Sequence, residues 1–333
     1  MEGIDAAAVT AWFERNVPGM QPPLRFDLVS GGKSNLTFGA HDAAGHAYVV
    51  RRPPLGHVLA TAHDMSREYR IISALWGKGV PVARTYGLCQ DASVNGADFY
   101  VMDFVDGVVL HDADAARTVA DADRRALGED IIDVLAELHV LDPDAVGLGE
   151  LGRKEAYLER QLKRWTKQYE DTKTDDIREM EDCRRLLAEK MPAQVGAGIV
   201  HGDYRPGNLI VKGRKVAAVL DWELWTIGHP LCDLAFNCLA WHLAEPPSGL
   251  VGHDLAALGI PDEASYVGAY CERVGREPPA DWAFYLAFNL FKLAAILQGV
   301  YRRALDGTAA SPQSLARGAL AAQRAELAWQ LVA

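Results

Sequence analysis

Hydrophobic and polar positions change their period twice along the chain. Residues 5–17 carry apolar positions at helical spacing, and Pro18-Gly19 ends them. From residue 24 the period falls to two. Residues 24–29, 36–40 and 46–51 read as three strands, stopped by Pro53-Pro54, with Ser30-Gly31-Gly32-Lys33-Ser34-Asn35 as a glycine-rich first turn. Helical spacing returns over 61–78 through Met65, Tyr69, Ile72 and Leu75. Two more strands fall near 83–89 and 98–105, and Asp106-Gly107 closes the second. The order predicted so far is β-β-β-α-β-β. Beyond residue 107 the pattern is mainly helical. Residues 121–141 place Leu127, Ile131, Val134, Leu135 and Leu138 on one side, and 153–190 read as two charged helices with one face in water. A short β segment at 198–222 precedes helices at 230–243, 262–275, 281–305 and 311–332. The class is therefore α+β. A small antiparallel sheet domain, 1–107, precedes a larger helical domain, 108–333.

Composition narrows the function without naming it. The chain has 333 residues, of which 49% are hydrophobic and 24% charged, enough apolar surface for a large core. Its net charge of −11 argues against nucleic acid and anionic membranes as partners, because both demand clustered cations. Five cysteines, an odd count with no CxxC, fit neither a disulfide framework nor a zinc ribbon, so reduced thiols and a cytoplasmic location are expected. The first twenty residues lack a basic stretch followed by an apolar core and do not read as a signal peptide. The longest apolar stretch, 283–300, contains Asn289, Lys292 and Gln298 and reads as a buried helix, not a membrane span. The remaining histidines show no metal-ligand spacing, and His139 reads as a packed core residue.

The chemistry concentrates in residues 198–223. Leu209-Ile210-Val211 and Val216–Leu220 are two apolar strands joined by the turn Lys212-Gly213-Arg214-Lys215. His201, Asp203 and Asn208 stand on the loop that enters this hairpin and Asp221 on its exit, so a single hairpin is expected to gather three oxygen-bearing side chains. Carboxylate and amide oxygens are hard ligands suited to Mg²⁺. An aspartate on such a loop can take the proton of a hydroxyl that attacks a γ-phosphoryl group.

This His-x-Asp-x4-Asn spacing followed by a strand-borne Asp resembles the aminoglycoside phosphotransferase-like branch (the choline-kinase type included) of the protein-kinase fold. The resemblance implies a bilobal protein-kinase-like architecture. It also implies Asp203 as catalytic base, Asn208 and Asp221 as metal ligands, and a structural His201. It further implies phosphate contacts from Gly31, Gly32, Lys33, Ser34 and Asn35. Arg51 should pair with Glu68 on the following helix, and Arg52 is the rival that strand alternation points the other way. Phe99–Gly107 resembles a kinase hinge, with Met102 on the adenine wall and the Asp103 carbonyl and Val105 N–H reading the base. Asp233 resembles the aspartate that braces the catalytic loop. His229 stands where family members often carry Asp, and Trp222 and Trp225 read as core.

The segments 30–35, 48–54, 67–70 and 99–107 look most like the kinase-like domains fused or adjacent to acyl-CoA dehydrogenases. The implied activity is transfer of the γ-phosphoryl of Mg-ATP, or Mg-GTP, to a small hydroxyl-bearing substrate such as a hydroxyacyl compound. An acceptor site is expected from 153–190 and 262–305. The alternatives are an aminoglycoside 3'-type O-phosphotransferase, with Asp175, Asp176, Glu179, Glu181 and Glu272 available for ammonium groups, and a catalytically silent nucleotide-binding protein. A homodimer is left open.

Overall fold

A computed structural model of the chain describes residues 1–31, 35–55, 64–111, 113–244, 249–308 and 312–333. Its contacts divide the chain into two compact units. One comprises Met1–Val108, Leu209–Lys212 and Val216–Leu224, and the other Val109–Asn208, Gly213–Lys215 and Trp225–Ala333.

The first unit opens with α1 (Ala6–Asn16), whose first turn is capped by the Asp5 carboxylate accepting from the Ala8 N–H at 3.0 Å. Then come β1 (Arg25–Gly31), β2 (Leu36–His41), β3 (Ala47–Arg52), α2 (Met65–Leu75), β4 (Thr85–Cys89), the short helix α3 (Ala92–Asn95) and β5 (Phe99–Asp103). The five strands form one antiparallel sheet in the order β1-β2-β3-β5-β4. Alternation assigns its two faces. Phe38, Tyr48, Val50, Phe99 and Val101 join Val9, Trp12 and Phe13 of α1 in one buried cluster. Trp12 meets Phe99 edge-on at 5.1 Å and Phe13 meets Tyr48 at 5.6 Å. Val49 and Arg51 therefore belong to the opposite face, together with Tyr100 and Met102.

Helix α2 is shorter than the expected 61–78. Asp64 caps its start, accepting from the Arg67 N–H, and residues 61–63 lie outside the described residues. Its end comes at Leu75, because Trp76 leaves helical geometry (ψ 125°) and Gly77 follows at φ +74°. Helix α3 was not expected. Asp91 caps it, and four residues are too few to establish a period.

The chain passes into the helical unit within β6 (Val108–Val109), and α4 (Ala113–Arg117) and α5 (Asp121–Val140) are its first helices. The charged stretch 153–190 resolves into two amphipathic helices. Tyr157, Leu158, Leu162, Trp165 and Tyr169 are buried on α6 (Tyr157–Thr172), and Met180, Cys183 and Leu187 on α7 (Arg178–Glu189). After β7 (Gly198–Val200), the strands β8 (Leu209–Lys212) and β9 (Lys215–Val219) form the expected hairpin, in a three-stranded sheet of order β6-β8-β9. β10 (Thr226–Gly228) pairs antiparallel with β7. The helices α8 (Pro230–Cys238), α9 (Glu263–Val274), α10 (Trp282–Leu305) and α11 (Arg317–Val332) complete the unit.

α10 is long and apolar enough to cross a membrane, but 72% of its most apolar window is buried inside the protein. It packs on α6, α8 and α11, as the core helix of its unit. Trp222 and Trp225 are each 1% exposed, as a core role requires. All five cysteines are free and buried.

Candidate active site

The loop 201–208 is held by its backbone before any side chain acts. Antiparallel pairing of β7 with β10 (Val200 against Thr226) is followed a few residues later by the first turn of α8, which carries Asp233. That carboxylate is 1% exposed. It accepts the His201 N–H on Oδ2 and the Gly202 N–H on Oδ1, the latter at 2.7 Å. His139 Nε2 lies 3.4 Å from the same Oδ2, and His139 Nδ1 lies 2.6 Å from the Tyr270 hydroxyl. Burial pushes the Asp233 pKa up, but His139, His201 and the Gly202 N–H outweigh it and hold the carboxyl below its ordinary value. Gly202 sits at φ +87°, a left-handed conformation that a side chain would strain.

The next residue is the expected base. The Asp203 N–H donates to His201 Nδ1 at 3.2 Å, which fixes the imidazole with its proton on Nε2. The Asp203 carboxylate accepts from Asn208 Nδ2 at 2.7 Å and from Arg205 Nε at 3.1 and 3.3 Å, and its side chain remains 21% exposed. Asn208 Nδ2 also donates to the Asp203 backbone carbonyl at 2.9 Å. Both of these partners are acceptors, so the amide nitrogen must face them and Oδ1 is turned away. Tyr204, fully buried, donates its hydroxyl to the Ile131 carbonyl of α5. Asn237 Nδ2 takes the Tyr204 carbonyl, and Asn237 Oδ1 accepts from Tyr266. The sharp presentation of Asp203 thus rests on α5, α8 and α9.

A second set of expected residues meets in the sheet unit. Arg51 projects from β3 on the face opposite α1. Its Nε donates to Glu68 Oε2 at 2.8 Å and its Nη2 to Asp221 Oδ1 at 2.9 Å. Glu68, 3% exposed at its side chain, also accepts from Asn35 Nδ2 at 2.8 Å and the Tyr100 hydroxyl at 3.0 Å. Burial raises the Glu68 pKa despite Arg51 and Tyr100, while the arginine is held above its ordinary value by Tyr100, Glu68 and Asp221 against burial. Arg52 points the other way, as alternation requires, and donates from Nη1 to the carbonyls of Gly3 at 2.7 Å and Asn95 at 3.0 Å. Asp221 stands two residues beyond β9 at φ +63°, a left-handed backbone unusual for a residue with a side chain, and its side chain is 30% exposed.

Of the glycine-rich turn, Gly31 ends β1 opposite Leu36 and the Asn35 amide is committed to Glu68, while Gly32, Lys33 and Ser34 lie outside the described residues. In the expected hinge, Met102 is buried opposite Val49 and Asp103 accepts from the Tyr86 hydroxyl at 2.6 Å. Val105 follows β5, and no partner takes its N–H among the described residues. Four participants escaped the sequence. Arg205 lies inside the motif, two residues from Asp203, and its charge was the available signal. Tyr100, His139 and Tyr270 are joined to their partners only by the fold, since His139 and Asp233 are 94 residues apart. His229, at the departure from the family pattern, is fully buried with its Nδ1 unpartnered among the described residues.

Residues 26–283 match the model of the phosphotransferase enzyme family. The chain belongs to this family. The chain is 40% identical over 92% of its length to mouse acyl-CoA dehydrogenase family member 10, of which the match spans 29%. It is 37% identical over 93% of its length to mouse acyl-CoA dehydrogenase family member 11, of which the match spans 41%. It therefore spans less than half of these curated relatives. A crystal structure of an aminoglycoside phosphotransferase-like protein from Ralstonia eutropha is 42% identical with a TM-score of 0.89, covering 98% of each chain. A thermostable mutant of aminoglycoside phosphotransferase APH(4)-Ia, solved in complex with AMP-PNP and hygromycin B, is 16% identical with a TM-score of 0.64, covering 97% of this chain and 98% of its own, and shares the fold. Both resemblances drawn from the motifs, to the aminoglycoside phosphotransferases and to the kinase-like part of acyl-CoA dehydrogenase proteins, are met. So is the α+β, protein-kinase-like fold.

Proposed function

We propose that this phosphotransferase moves the γ-phosphoryl group of ATP, or GTP, to a hydroxyl of a small hydroxyacyl compound. The observation that carries the reading is the Asp203–Asn208 arrangement: a partly exposed carboxylate on a loop whose amides are pinned by Asp233. In the proposed step the acceptor hydroxyl gives its proton to the Asp203 carboxylate while its oxygen bonds to the γ-phosphorus. The bond from phosphorus to the β–γ bridging oxygen breaks, and the nucleoside diphosphate leaves with that electron pair. Asn208 holds Asp203 at both its carboxylate and its carbonyl, so the base presents a single orientation.

Asn208 Oδ1, turned away from Asp203, and the partly exposed Asp221 carboxylate are each hard oxygen donors of the kind Mg²⁺ takes, and both are assigned to it; the ion, when bound, would offset the charge on the nucleotide phosphates. Arg51, fixed by Glu68 and Asp221, is assigned to the phosphates, and Gly31, Asn35, Met102, Asp103 and Val105 to the nucleotide side of the chain. The hydroxyacyl acceptor is supported by the names of the relatives, acyl-CoA dehydrogenase family members, of which this chain matches less than half. The aminoglycoside alternative needs uncommitted carboxylates, yet Asp176 and Glu181 are surface residues tied to Lys173 and Arg184. The silent-protein alternative is disfavoured by the presence of Asp203, Asn208 and Asp221 together. Free, buried thiols accord with a reducing compartment, and a cytoplasmic location goes with this reading.

The test is transfer of label from γ-labelled Mg-ATP to hydroxyacyl thioesters, amino alcohols and aminoglycosides. Labelled hydroxyacyl product is expected, and Asp203→Asn should lose roughly 100-fold to 10,000-fold in turnover while AMP-PNP still binds. Wild-type turnover in Asp203→Asn removes the base from its role, and label appearing only on aminoglycosides overturns the acceptor class.

A further inference from the structure

Lys292 lies 90 residues from the loop 201–208 in sequence, yet its Nζ donates to the Gly202 carbonyl at 2.8 Å. The Gly202 N–H is held by Asp233 at 2.7 Å. Both polar groups of this glycine are therefore fastened, one by α8 and one by α10, on the residue immediately before Asp203. The ammonium is confined by two rings, with Nζ 4.9 Å from the Phe236 centroid on α8 and 5.8 Å from that of Trp165 on α6. The charged and titratable groups that act on it are Asp233, Asp203 and Cys232, which favour the ammonium, and Arg164, which opposes it. Burial is the largest influence and lowers its pKa.

Such a placement is costly for packing alone. Lys292 is partly buried, and withdrawing an ammonium even partly from water is unfavourable, whereas a methionine or leucine would fill a space between two aromatic rings without that penalty. Of the neighbouring helix positions, Phe288, Leu290, Phe291, Ala294 and Ala295 are apolar and buried, and Asn289 is a buried amide. The one cation among them is aimed at the loop that carries the carboxylate.

We propose that Lys292 is a positioning residue for phosphoryl transfer: by fixing the Gly202 carbonyl it sets the direction in which Asp203 is presented. The catalytic part of this proposal rests on Asp203 being the base, whereas the anchoring part does not. Two measurements separate them. The first is hydrogen–deuterium exchange over residues 200–208 in the wild type, Lys292→Met, Lys292→Gln and Lys292→Arg. Exchange of the Gly202 and Asp203 amides is expected to quicken at least tenfold in Lys292→Met and Lys292→Gln and to return toward wild type in Lys292→Arg. The glutamine variant covers the case in which methionine disturbs folding.

The second is phosphate release from Mg-ATP, with water as acceptor, across pH. Lys292→Met should lose about 10-fold to 100-fold in rate with the KM for ATP within twofold of wild type. The wild-type rate should fall at a pH below the ordinary lysine value of about 10.4. In Lys292→Arg that alkaline limb should move upward, since guanidinium stays charged. Exchange and rate in Lys292→Met both equal to wild type overturn the proposal, as does an alkaline limb unchanged in Lys292→Arg. If the wild type transfers no phosphoryl group to any acceptor, water included, the functional reading falls, and the exchange data alone decide the anchoring.

Discussion

His229 ties acidity to folding through one side chain. It precedes Pro230 at the start of α8, is fully buried, and its Nε2 lies 3.5 Å from the Tyr285 hydroxyl. Burial, aided by Arg276 and His139 and opposed by Asp281, lowers its pKa to about 4. An unfolded histidine titrates near 6.5. Between these values the unfolded chain binds a proton that the native chain refuses, so stability falls as pH drops from about 6.5 to about 4. A gap of that size amounts to roughly 3 kcal/mol. Urea midpoints at pH 7, 5.5 and 4.5 should fall less steeply in His229→Gln than in the wild type, and parallel slopes would show that another group carries the dependence. Asp233 acts at lower pH. Its folded pKa is depressed, so its contribution is complete above the unfolded value of about 3.9 and is lost as pH falls through the folded one.

At the scale of elements, two short contacts decide how loops join strands and helices. The first turn of α8 reaches the loop 201–208 through the Asp233 carboxylate, which takes two backbone N–H groups and faces His139. Asp233→Asn leaves a buried network partly unsatisfied. It should cost about 2–4 kcal/mol in urea denaturation and reduce turnover at least tenfold; an unaffected rate with intact loop exchange would argue that the backbone of β7 and β10 suffices. Gly107 marks the other contact. A Cβ there would come within 2.5 Å of Ile210 Cγ2 and 2.7 Å of the Val211 carbonyl oxygen on β8. Gly107→Ala is expected to lower stability by about 1–3 kcal/mol through overpacking, read as a fall in Tm, and an unchanged Tm would mean that β8 yields.

Across the whole molecule the proposed machinery divides between the two units. Arg51, Glu68 and Asp221 belong to the sheet unit, and Asp203, Arg205, Asn208 and Asp233 to the helical one. The kinetic constants should divide in the same way. Arg51→Met withdraws a cation assigned to nucleotide phosphates, so the KM for ATP should rise roughly tenfold or more, and loss of the partner of buried Glu68 should cost about 3 kcal/mol in stability. Asp203→Asn should lower kcat with little change in the KM for ATP. Steady-state kinetics of both variants check the division, and the reverse pattern would reassign the roles of Arg51 and Asp203.

What the chain determined locally was legible in its sequence. Period-two alternation placed β2, β3 and β5 and decided between Arg51 and Arg52, because successive side chains on a strand must face opposite ways. The spacing of His201, Asp203 and Asn208 ahead of a two-stranded hairpin identified the loop, since eight consecutive residues need no distant partner to fall together. Boundaries were less legible: α2 ends at Leu75, where Trp76 and Gly77 leave helical geometry, although helical spacing continues to Lys78. Only the tertiary structure decided what supports the loop. The resemblance pointed to Asp233 as a brace, but His139, Tyr270 and Lys292 look in sequence like ordinary core or amphipathic positions. They become a scaffold for Asp203 because α5, α8, α9 and α10 pack together and a buried polar group must find its partner wherever the fold supplies one.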